Sequence, residues 1–360
     1  MSPVSVDQIR QWGEQLGFQQ VGISGVDLHQ ASTQLHEWLA AGFHGGMNWM
    51  AERAALRTEP AALVPGTVTV ISVRMDYLPE SRDQAFAQLE NPDLAYIARY
   101  ALGRDYHKLM RKRLQQLAER IRAQMGDMHY RVFCDSAPVL EKPLASQAGL
   151  GWIGKHTNLI HRKAGSFFFL GEIYTDLPLP PDTPQTSHCG SCMACIDICP
   201  TRAIVAPYRL DARRCIAYLT IEWRGAIPEE FRAAMGNRIY GCDDCQLVCP
   251  WNRYARLTRE IDFLPRQNLD TASLLALWAW NEATFLQTLE GSPLRRIGHL
   301  TWLRNIAVAL GNAPTSPAVV VALESRLPEA SPLLREHIVW ALRQHGVLLS
   351  TNRIVRFCSK

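Results

Sequence analysis

The chain has 360 residues, of which 47% are hydrophobic and 20% charged, and its net charge is +4. This composition indicates a globular protein, excludes a disordered one, and at this length predicts two or three domains. The mild positive charge permits a polyanionic partner without requiring one. No apolar run reaches the roughly 18 residues of a membrane span, and residues 1–18 show neither an apolar signal core nor a twin-arginine pair.

The first part of the chain has mixed helix and strand patterns. Helices are predicted over residues 5–17, 28–41, 105–124 and about 140–149, and strands over 20–24, 68–74, 129–134 and 166–174. The strand at 129–134 delivers Asp135 to a turn. The proline-rich segment 177–184 is semi-rigid and is a plausible domain boundary.

Eight cysteines between residues 189 and 249 have the spacing of a ferredoxin. The first run is C-x2-C-x2-C-x3-C-P, in which three thiolates hold one 4Fe-4S cluster and the fourth holds the other. The second run, C-x2-C-x3-C-P, lacks one cysteine, and Cys215 completes the count. The predicted ligand sets are therefore crossed: Cys189, Cys192, Cys195 and Cys249 in the first set, and Cys199, Cys215, Cys242 and Cys245 in the second.

A zinc site and a disulfide framework are the alternatives for these cysteines. A zinc site uses four thiolates and would leave half of the eight unexplained. A disulfide framework suits a small secreted chain, whereas this chain is long enough to bury a core without covalent links. Oxygen-sensitive clusters in a chain without an export signal favour a cytoplasmic location.

The last part of the chain is predicted to be helical only, from residue 269 onward. Ala309-Leu310 and Ala341-Leu342 lie 32 residues apart in similar helical contexts. This weak repeat suggests a small solenoid of stacked helix pairs, with ordinary helical packing as the alternative. The predicted class is α+β, with domains over residues 1–180, 181–260 and 261–360.

Several segments together resemble the epoxyqueuosine reductase family, and the likeness covers nearly the whole chain. The matching segments are 57–67, 103–107, 151–160, 169–173, 217–222, 237–245 and 303–312, together with the cysteine runs. One departure is His156, where the family pattern leads us to expect asparagine.

The resemblance implies a function as well as a fold. It implies an N-terminal α/β cobalamin-binding domain, a two-cluster ferredoxin domain and a C-terminal HEAT-like repeat domain. It also implies reduction of epoxyqueuosine to queuosine at the wobble position of tRNA, with cobalamin reduced through two 4Fe-4S clusters. The implied partners are tRNA carrying epoxyqueuosine and an external electron donor such as ferredoxin or flavodoxin, and we expect a monomer.

Asp135 is the predicted general acid, because opening an epoxide develops negative charge on oxygen. To be protonated near neutral pH, its pKa would have to be raised from about 3.9 by burial against Phe133, Pro138 and Val139. Without the resemblance, the same aspartate would be interpreted as a turn cap. His107 is interpreted as a helix-surface or satisfied buried residue, not as a cobalt ligand, since Met110 stands where the cobalt-binding motif has glycine.

Further site residues follow from the resemblance or from charge spacing. The resemblance implies cobalamin contacts from Arg57, Asp135, Asn158, Ile160, Tyr218 and Thr220, made by side chains or by the backbone. A surface ion pair is the alternative for Arg57. The predicted tRNA-binding residues are Arg224, Arg295, Arg296, His299 and Arg304, of which the last four recur about one helical turn apart. A solvated charged face is the alternative for these cations.

One glycine-rich segment, Gly149-x4-Gly154-Lys155, nearly matches a phosphate-binding loop. His156 replaces the Ser or Thr that such a loop requires and a helix precedes the segment, which excludes a nucleotide triphosphatase. The glycines still predict a close backbone approach, for example to a cofactor.

A corrinoid reductive dehalogenase and a plain electron-transfer protein remain alternative functions. The first typically carries an export signal, which residues 1–18 lack. The second would leave the first 175 residues without a task.

Overall fold

The computed structural model describes residues 5–350 and 353–356. Its strands, in chain order, are β1 (Gln20–Ser24), β2 (Thr69–Asp76), β3 (Tyr96–Ile97), β4 (Tyr130–Phe133), β5 (Trp152–Ile153), β6 (Leu159–Ile160), β7 (Phe168–Thr175), β8 (Ile204–Ala206), β9 (Arg209–Leu210), β10 (Arg238–Tyr240), β11 (Val347–Ser350) and β12 (Arg353–Arg356). Its α-helices are α1 (Val6–Gln15), α2 (His29–Ala40), α3 (Asn48–Glu52), α4 (Ala54–Thr58), α5 (Pro60–Leu63), α6 (Arg82–Glu90), α7 (Tyr106–Met125), α8 (Glu141–Gln147), α9 (Ala194–Asp197), α10 (Glu229–Met235), α11 (Asp244–Leu247), α12 (Leu274–Trp278), α13 (Glu282–Thr288), α14 (Gly298–Asn312), α15 (Pro317–Arg326) and α16 (Pro332–Gln344).

A four-stranded antiparallel sheet with strand order β1-β2-β7-β4 is the framework of the N-terminal part. Every residue of β2 is buried, because the sheet is covered on both faces. Ile71, Val73 and Met75 belong to the core that α1 and α7 share, whereas Val70 packs with residues of α8. The eight helices and strands predicted for this part are confirmed, with ends that agree to within two residues.

Helix α7 positions the residues of the candidate site. Its N-cap is Asp105, whose side chain accepts a hydrogen bond from the backbone N–H of His107. An apolar stripe, which includes Met110 and Leu114, packs against the sheet, and the helix ends at Gly126, which has a φ of 85°. The first turn of α7 therefore lies beside the end of β4, where Asp135 follows.

The cysteine-rich part is built of short elements joined closely to the N-terminal part. Helices α9 and α11 each follow the start of one cysteine run. Strand β10 pairs in parallel with β3, so residues from both parts share one small sheet. Residues 218–222 form one turn of π-helix, a wide turn that is often found at functional sites.

The C-terminal part packs α14 against α16, with α15 beside them. The expectation of helices only was wrong, because β11 and β12 form an antiparallel hairpin after α16. Gly346, with a φ of 74°, ends the helix, and the β-branched and apolar residues that follow favour strands.

One apolar core extends through all three predicted parts. It contains Ile97 and Leu102 from the first, Ile216 and Tyr240 from the second, and residues of α12, α14 and α16 from the third. The three parts therefore share this core across both predicted boundaries. Among the described residues, no helix is long and apolar enough to cross a membrane.

Candidate active site between the sheet and the cysteine region

A cavity of about 460 Å³ lies between the N-terminal sheet and the cysteine region. Its lining residues include Tyr106, Asp135, Asn158 and Phe168. They also include the second predicted cysteine set, Cys199, Cys215, Cys242 and Cys245. The predicted acid and one predicted cluster site therefore face the same space.

Asp135 stands at the cavity on a strained backbone. Its φ is 54°, in the left-handed region, and its side chain is 50% exposed. The Tyr106 hydroxyl donates a hydrogen bond of 2.5 Å to Oδ2 of Asp135, and Nε2 of His107 lies 3.3 Å from the same oxygen. Thr157, another cavity residue, also has a positive φ, of 69°. Two of the six described non-glycine residues with a positive φ therefore line this cavity.

The charge state of Asp135 differs from the expected one. Burial acts to raise the pKa of Asp135, but hydrogen bonds from His107 and Tyr106 and the positive charges of His107 and Arg296 bring it below its ordinary value. The prediction of a raised pKa was wrong, because it considered apolar walls and did not foresee these polar neighbours. Asp135 is a carboxylate at neutral pH when no substrate is bound.

The proton lies instead on His107. Burial acts to lower the pKa of His107, but hydrogen bonds and charge from Asp105 and Asp135 raise it to about 9. Nδ1 of His107 is 2.6 Å from Oδ1 of Asp105, so the imidazolium is held between two carboxylates. Sequence reasoning missed Tyr106 and His107 as site residues. The capping aspartate before them was the available signal, since a cap places the next two residues in the first helical turn.

Two further carboxyl groups lie close to Asp135: Glu141, which is half-buried and lines the cavity, and Glu172. The backbone N–H of Asp135 donates to Oε1 of Glu141 at 2.5 Å, and Glu172 of β7 is fully buried next to it. Burial and the nearby Asp135 raise the pKa of Glu141 to about 7, and burial together with Glu141 raises the pKa of Glu172 further. Protons are therefore held close to the cavity at neutral pH. Sequence reasoning missed this pair as well.

The residues expected to contact cobalamin do not all line the same cavity. Asp135 and Asn158 line the cavity, whereas Ile160 lines the cavity of the first cysteine set. Arg57 lies behind the loop of Asp135, where its guanidinium is 3.5 Å from the carbonyl oxygens of Ala137 and Val139.

Tyr218 and Thr220 do not line the cavity. The Tyr218 hydroxyl accepts a hydrogen bond of 2.7 Å from the N–H of Gly46. Thr220 is fully buried; its hydroxyl donates to the carbonyl of Ile216 at 2.7 Å and accepts from the N–H of Gly241 at 2.9 Å. Expected contacts from their side chains are therefore not supported, because both hydroxyls are used inside the protein.

The first predicted cysteine set lines a separate cavity of about 240 Å³. This cavity contains Cys189, Cys192, Cys195 and Cys249, so each crossed set surrounds its own space. Among the described residues, no three histidine, cysteine or acidic side chains are close enough together for a single metal ion. Two separate four-cysteine cavities suit polyatomic clusters better than zinc.

The glycine-rich segment joins the two cavities. The Lys155 ammonium donates to the carbonyl oxygens of Gly190 and Cys192 at 2.7 and 2.8 Å, so this lysine supports the first cysteine loop. A side chain at Gly151 would collide with the backbone of Ile160 in β6. A side chain at Gly149 would likewise collide with the carbonyl oxygen of Thr183, so these two glycines allow close approaches between segments of the chain itself.

Four of the five predicted tRNA-binding residues lie near one another. The prediction for the fifth, Arg304, was wrong because it is buried. Arg295 and Arg296 are exposed, and Arg224 donates to the carbonyl oxygens of Ile297 and Arg296 at 2.9 and 3.4 Å. His299 is half-buried, with Nε2 at 2.9 Å from the carbonyl oxygen of Trp280.

Arg304 cannot reach a phosphate group. It is fully buried in α14, where it donates to the carbonyl oxygens of Leu219, Trp223 and Gly225 at 2.6 to 2.8 Å. The helical spacing was misleading because α14 begins only at Gly298 and is buried on nearly all sides. Arg295 and Arg296 belong to the preceding 3₁₀ turn and not to the same helical face.

Comparisons with known proteins agree with this arrangement. A family model described as "Epoxyqueuosine reductase QueG, DUF1730" matches residues 57–136, and a "4Fe-4S double cluster binding domain" matches residues 188–252. The chain is 62% identical to the epoxyqueuosine reductase of Xanthomonas campestris over 94% of its own length and 96% of that protein. It is 61% identical to that of Pseudomonas aeruginosa, over 94% of both chains.

Solved structures give the same result. An epoxyqueuosine reductase with an epoxyqueuosine-modified tRNA-Tyr stem loop matches with a TM-score of 0.83 at 25% identity, over 94% of this chain and 90% of that one. The enzyme of Bacillus subtilis, solved with an aspartate-bearing catalytic loop swung out of the active site, matches with a TM-score of 0.84 at 26% identity over the same shares. Because relatives more than 60% identical cover nearly its whole length, the chain belongs to the epoxyqueuosine reductase family.

Proposed function

We propose that this chain reduces epoxyqueuosine to queuosine at the wobble position of tRNA, the last step of queuosine biosynthesis. The observation that carries the proposal is the single cavity in which Asp135 faces the second cysteine set. A group that opens an epoxide and a group that supplies electrons are both needed for this reaction, and here they share one space. The identity of more than 60% to named epoxyqueuosine reductases favours this substrate over the halogenated compounds of a reductive dehalogenase.

The cavity residues fit a cobalamin. Nδ1 of His156 accepts from the N–H of Asn158 at 3.1 Å, so the neutral ring carries its proton on Nε2. That Nε2 is buried at the cavity without a hydrogen-bond partner, and burial lowers the pKa of His156 to about 4. The donor suits the amide oxygens of a corrin, and the asparagine expected here would offer a similar acceptor and donor.

We assign the cofactors to the chain's own residues as follows. Asp135, Asn158 and His156 would hold cobalamin in the cavity, and the two crossed cysteine sets would each hold a 4Fe-4S cluster. The chemistry expected of bound cobalamin is the accumulation of single electrons for a two-electron reduction. His156 lines both cavities. In this assignment it would lie next to cobalamin in one cavity and next to the first cluster in the other.

The protein's part in the reaction is the supply of protons. Conversion of the epoxide to the alkene breaks both carbon–oxygen bonds, consumes two electrons and two protons, and releases the oxygen as water. Because Asp135 is a carboxylate before substrate binds, we assign the source of the first proton to the His107 imidazolium, whose Nε2 lies 3.3 Å from Oδ2 of Asp135. Asp135, which lines the cavity, would receive this proton and pass it to the epoxide oxygen. The Glu141–Glu172 pair is a nearby reserve for the second proton. In the Bacillus subtilis relative, the loop described as catalytic also carries an aspartate.

The three predicted parts have separate tasks in this proposal. Residues 1–180 hold cobalamin and the acid, residues 181–260 hold the clusters, and residues 261–360 bind tRNA as a short HEAT-like array. The packing of α14 and α15 against α16 supports such an array. Arg224, Arg295 and Arg296 would contact phosphates. Arg296 also pairs with Glu222 at 2.6 Å, and its positive charge helps to lower the pKa of Asp135.

A complementation experiment tests the proposed function. Cells that lack their own epoxyqueuosine reductase accumulate epoxyqueuosine in tRNA, and expression of this chain is expected to restore queuosine, measured by nucleoside mass spectrometry. Persistence of epoxyqueuosine in cells that contain the folded, cluster-loaded protein would reject the proposal.

A further inference from the structure

The two cysteine sets differ in having, or lacking, an exposed cysteine. Cys192 of the first set is exposed, whereas the second set lines the inner cavity with Asp135. Around Cys192 the chain also exposes His188 and Met193, and Trp251 lies over the same cavity. A docking partner can therefore contact a ligand of the first set directly at Cys192, whereas the four cysteines of the second set are only partly exposed.

Three segments around the first set carry unbalanced positive charge. Residues 161–166, 186–199 and 250–259 contain five Arg or Lys residues and a single carboxylate, that of Asp197. The carboxylate that follows them, Glu260, is already paired with Arg113. None of the five cations forms an ion pair with another described residue. The five are Arg162, Lys163, Arg253, Arg256 and Arg259, and all are exposed.

Contacts connect these charges with the first cysteine set. Arg253 lines the cavity of that set, and its guanidinium lies 4.7 Å from the ring centroid of Tyr254, which is itself 41% exposed. Trp251 lies 6.1 Å from Tyr254 and 5.8 Å from His188, measured between ring centroids. We call the surface formed by Cys192, Met193, Arg253, Tyr254 and Arg256 the entry face.

A cleft next to the entry face extends the positive surface. It has a volume of about 840 Å³. Its acidic residues Asp76 and Glu260 are paired with Arg74 and Arg113, which leaves Lys163, Arg256 and Arg259 against the single carboxylate of Glu14. The loop that carries Lys163 packs against the segment that carries Arg253, since the N–H of Ser166 donates to Oδ1 of Asn252 at 2.6 Å. The cations of the cleft and those of the entry face therefore lie on adjoining segments.

We propose that the entry face docks an acidic electron-carrier protein, with a flavin or an iron–sulfur centre, that reduces the first cluster. The inference rests on the proposed function, because that reaction needs two electrons from outside the chain. In each docking event the carrier is oxidised by one electron and the cluster is reduced by one electron, so two events serve each epoxide. Unpaired cations around an exposed redox ligand complement an acidic surface and accelerate its association.

A protein fits this face better than RNA does. Met193, Tyr254 and Leu257 expose apolar surface between the cations, as expected of a protein interface. The cations that we assign to tRNA, Arg224, Arg295 and Arg296, are a separate group whose Arg296 acts on Asp135. The main groups that lower the pKa of Asp135 are His107, Tyr106 and Arg296, and the entry-face arginines Arg253 and Arg256 are not among them.

A charge-reversal variant of the cluster-loaded chain tests the proposal. In the double variant Arg253→Glu/Arg256→Glu, reduction of the clusters by a reduced, strongly acidic flavodoxin is expected to slow at least about tenfold at low salt. Stopped-flow absorbance of the clusters gives this rate, and titration with oxidised flavodoxin at several salt concentrations gives binding without turnover. The matched control is Arg122→Glu, an exposed arginine near the far end of α7, roughly 24 Å along the helix from Tyr106.

Two further measurements make the result decisive. Photoreduced deazaflavin, a small donor that needs no docking, is expected to reduce both variants at the wild-type rate, and affinity for a tRNA stem loop is expected to stay unchanged. An unchanged flavodoxin rate would overturn the proposal, and so would equal slowing with both donors. Loss of RNA affinity with a normal flavodoxin rate would assign the face to tRNA instead. All these rates are measured without epoxyqueuosine, so they can succeed or fail independently of the proposed function.

Discussion

At the scale of single residues, the site depends on polar groups that converge from distant parts of the chain. Asp135 was predicted as the acid from the family resemblance, since its turn alone indicated a cap, and its partners were not predicted. Tyr106 and His107 lie 28 or more positions earlier in the chain and reach it only because α7 starts beside the end of β4. Sequence patterns describe neighbours along one element, so the pKa of Asp135 could not be foreseen from them.

His107 makes the reaction dependent on pH in the alkaline range. Because the pKa of His107 is raised from 6.5 to about 9, the imidazolium is present at neutral pH and is lost as the pH rises through about 9. Turnover is expected to fall over that range, and His107→Gln is expected to remove this alkaline limb and to lower the plateau about tenfold or more. Single-turnover rates from pH 6 to 10 on the two proteins measure this effect.

The same residue affects stability with a defined sign. Its folded-state pKa is above the unfolded value, so its contribution to stability is complete below about pH 6.5 and disappears as the pH rises through about 9. The melting temperature of His107→Gln should therefore approach that of the wild type at high pH. If the alkaline limb of turnover persists in the variant, another group titrates there and the assignment to His107 is wrong.

At the scale of elements, periodicity predicted the N-terminal helices and strands well and the role of α14 poorly. The alternation and apolar stripes around the sheet give clear patterns because one element has one buried face. In α14 nearly every side chain from Thr301 to Gly311 is buried, so an arginine there looks like part of a charged face but is part of the core. Burial on all sides leaves no period to detect.

Arg304 is expected to be a structural residue. Arg304→Leu would leave the carbonyl groups of Leu219, Trp223 and Gly225 without their donor, and the free energy of unfolding is expected to fall by about 3 kcal/mol. Urea denaturation followed by circular dichroism measures the change. Arg295→Leu, at an exposed position nearby, is the control and should change stability by less than about 0.5 kcal/mol. Equal effects of the two substitutions would contradict this role.

The exposed cations that precede α14 are expected to contact tRNA phosphates. Replacing Arg224, Arg295 and Arg296 together by glutamine should weaken binding of a tRNA stem loop and reduce the slope of log affinity against log salt by about 2, since each phosphate contact contributes roughly 0.7 to 0.9. Arg122→Gln serves as the control for the loss of a surface charge. A slope that stays the same in the triple variant would move the RNA-binding surface elsewhere.

At the scale of the whole molecule, the cysteine spacing predicted which side chains share a cavity, but not how the parts are packed. Counting ligands in two runs is enough to sort eight thiolates, because a cluster requires four. The shared core of Ile97, Ile216 and α14 was not predictable, since it depends on contacts between residues far apart in the chain. The predicted boundaries at residues 180 and 260 therefore do not separate hydrophobic cores.

The crossed ligand sets predict how iron content responds to one substitution. The intact chain should bind about eight iron atoms, and Cys215→Ser should remove or alter the cluster of the second set and leave the first intact. Iron analysis and electron paramagnetic resonance measure the difference. Cys134→Ser is the control, because this buried cysteine lies outside both cavities. Unchanged iron content and spectra in Cys215→Ser would show that the ligand count is wrong.

The central claim is that this cavity reduces the epoxide of epoxyqueuosine with a proton delivered by Asp135. The most direct test is anaerobic incubation of the cobalamin- and cluster-loaded chain with tRNA that contains epoxyqueuosine, followed by nucleoside mass spectrometry. The wild type is expected to convert epoxyqueuosine to queuosine, with loss of one oxygen atom. Asp135→Asn should bind tRNA normally and keep reducible clusters, but its turnover should fall by about 10² to 10⁴. A wild-type chain that leaves epoxyqueuosine unchanged, or an Asp135→Asn variant with near-normal turnover, would contradict the account.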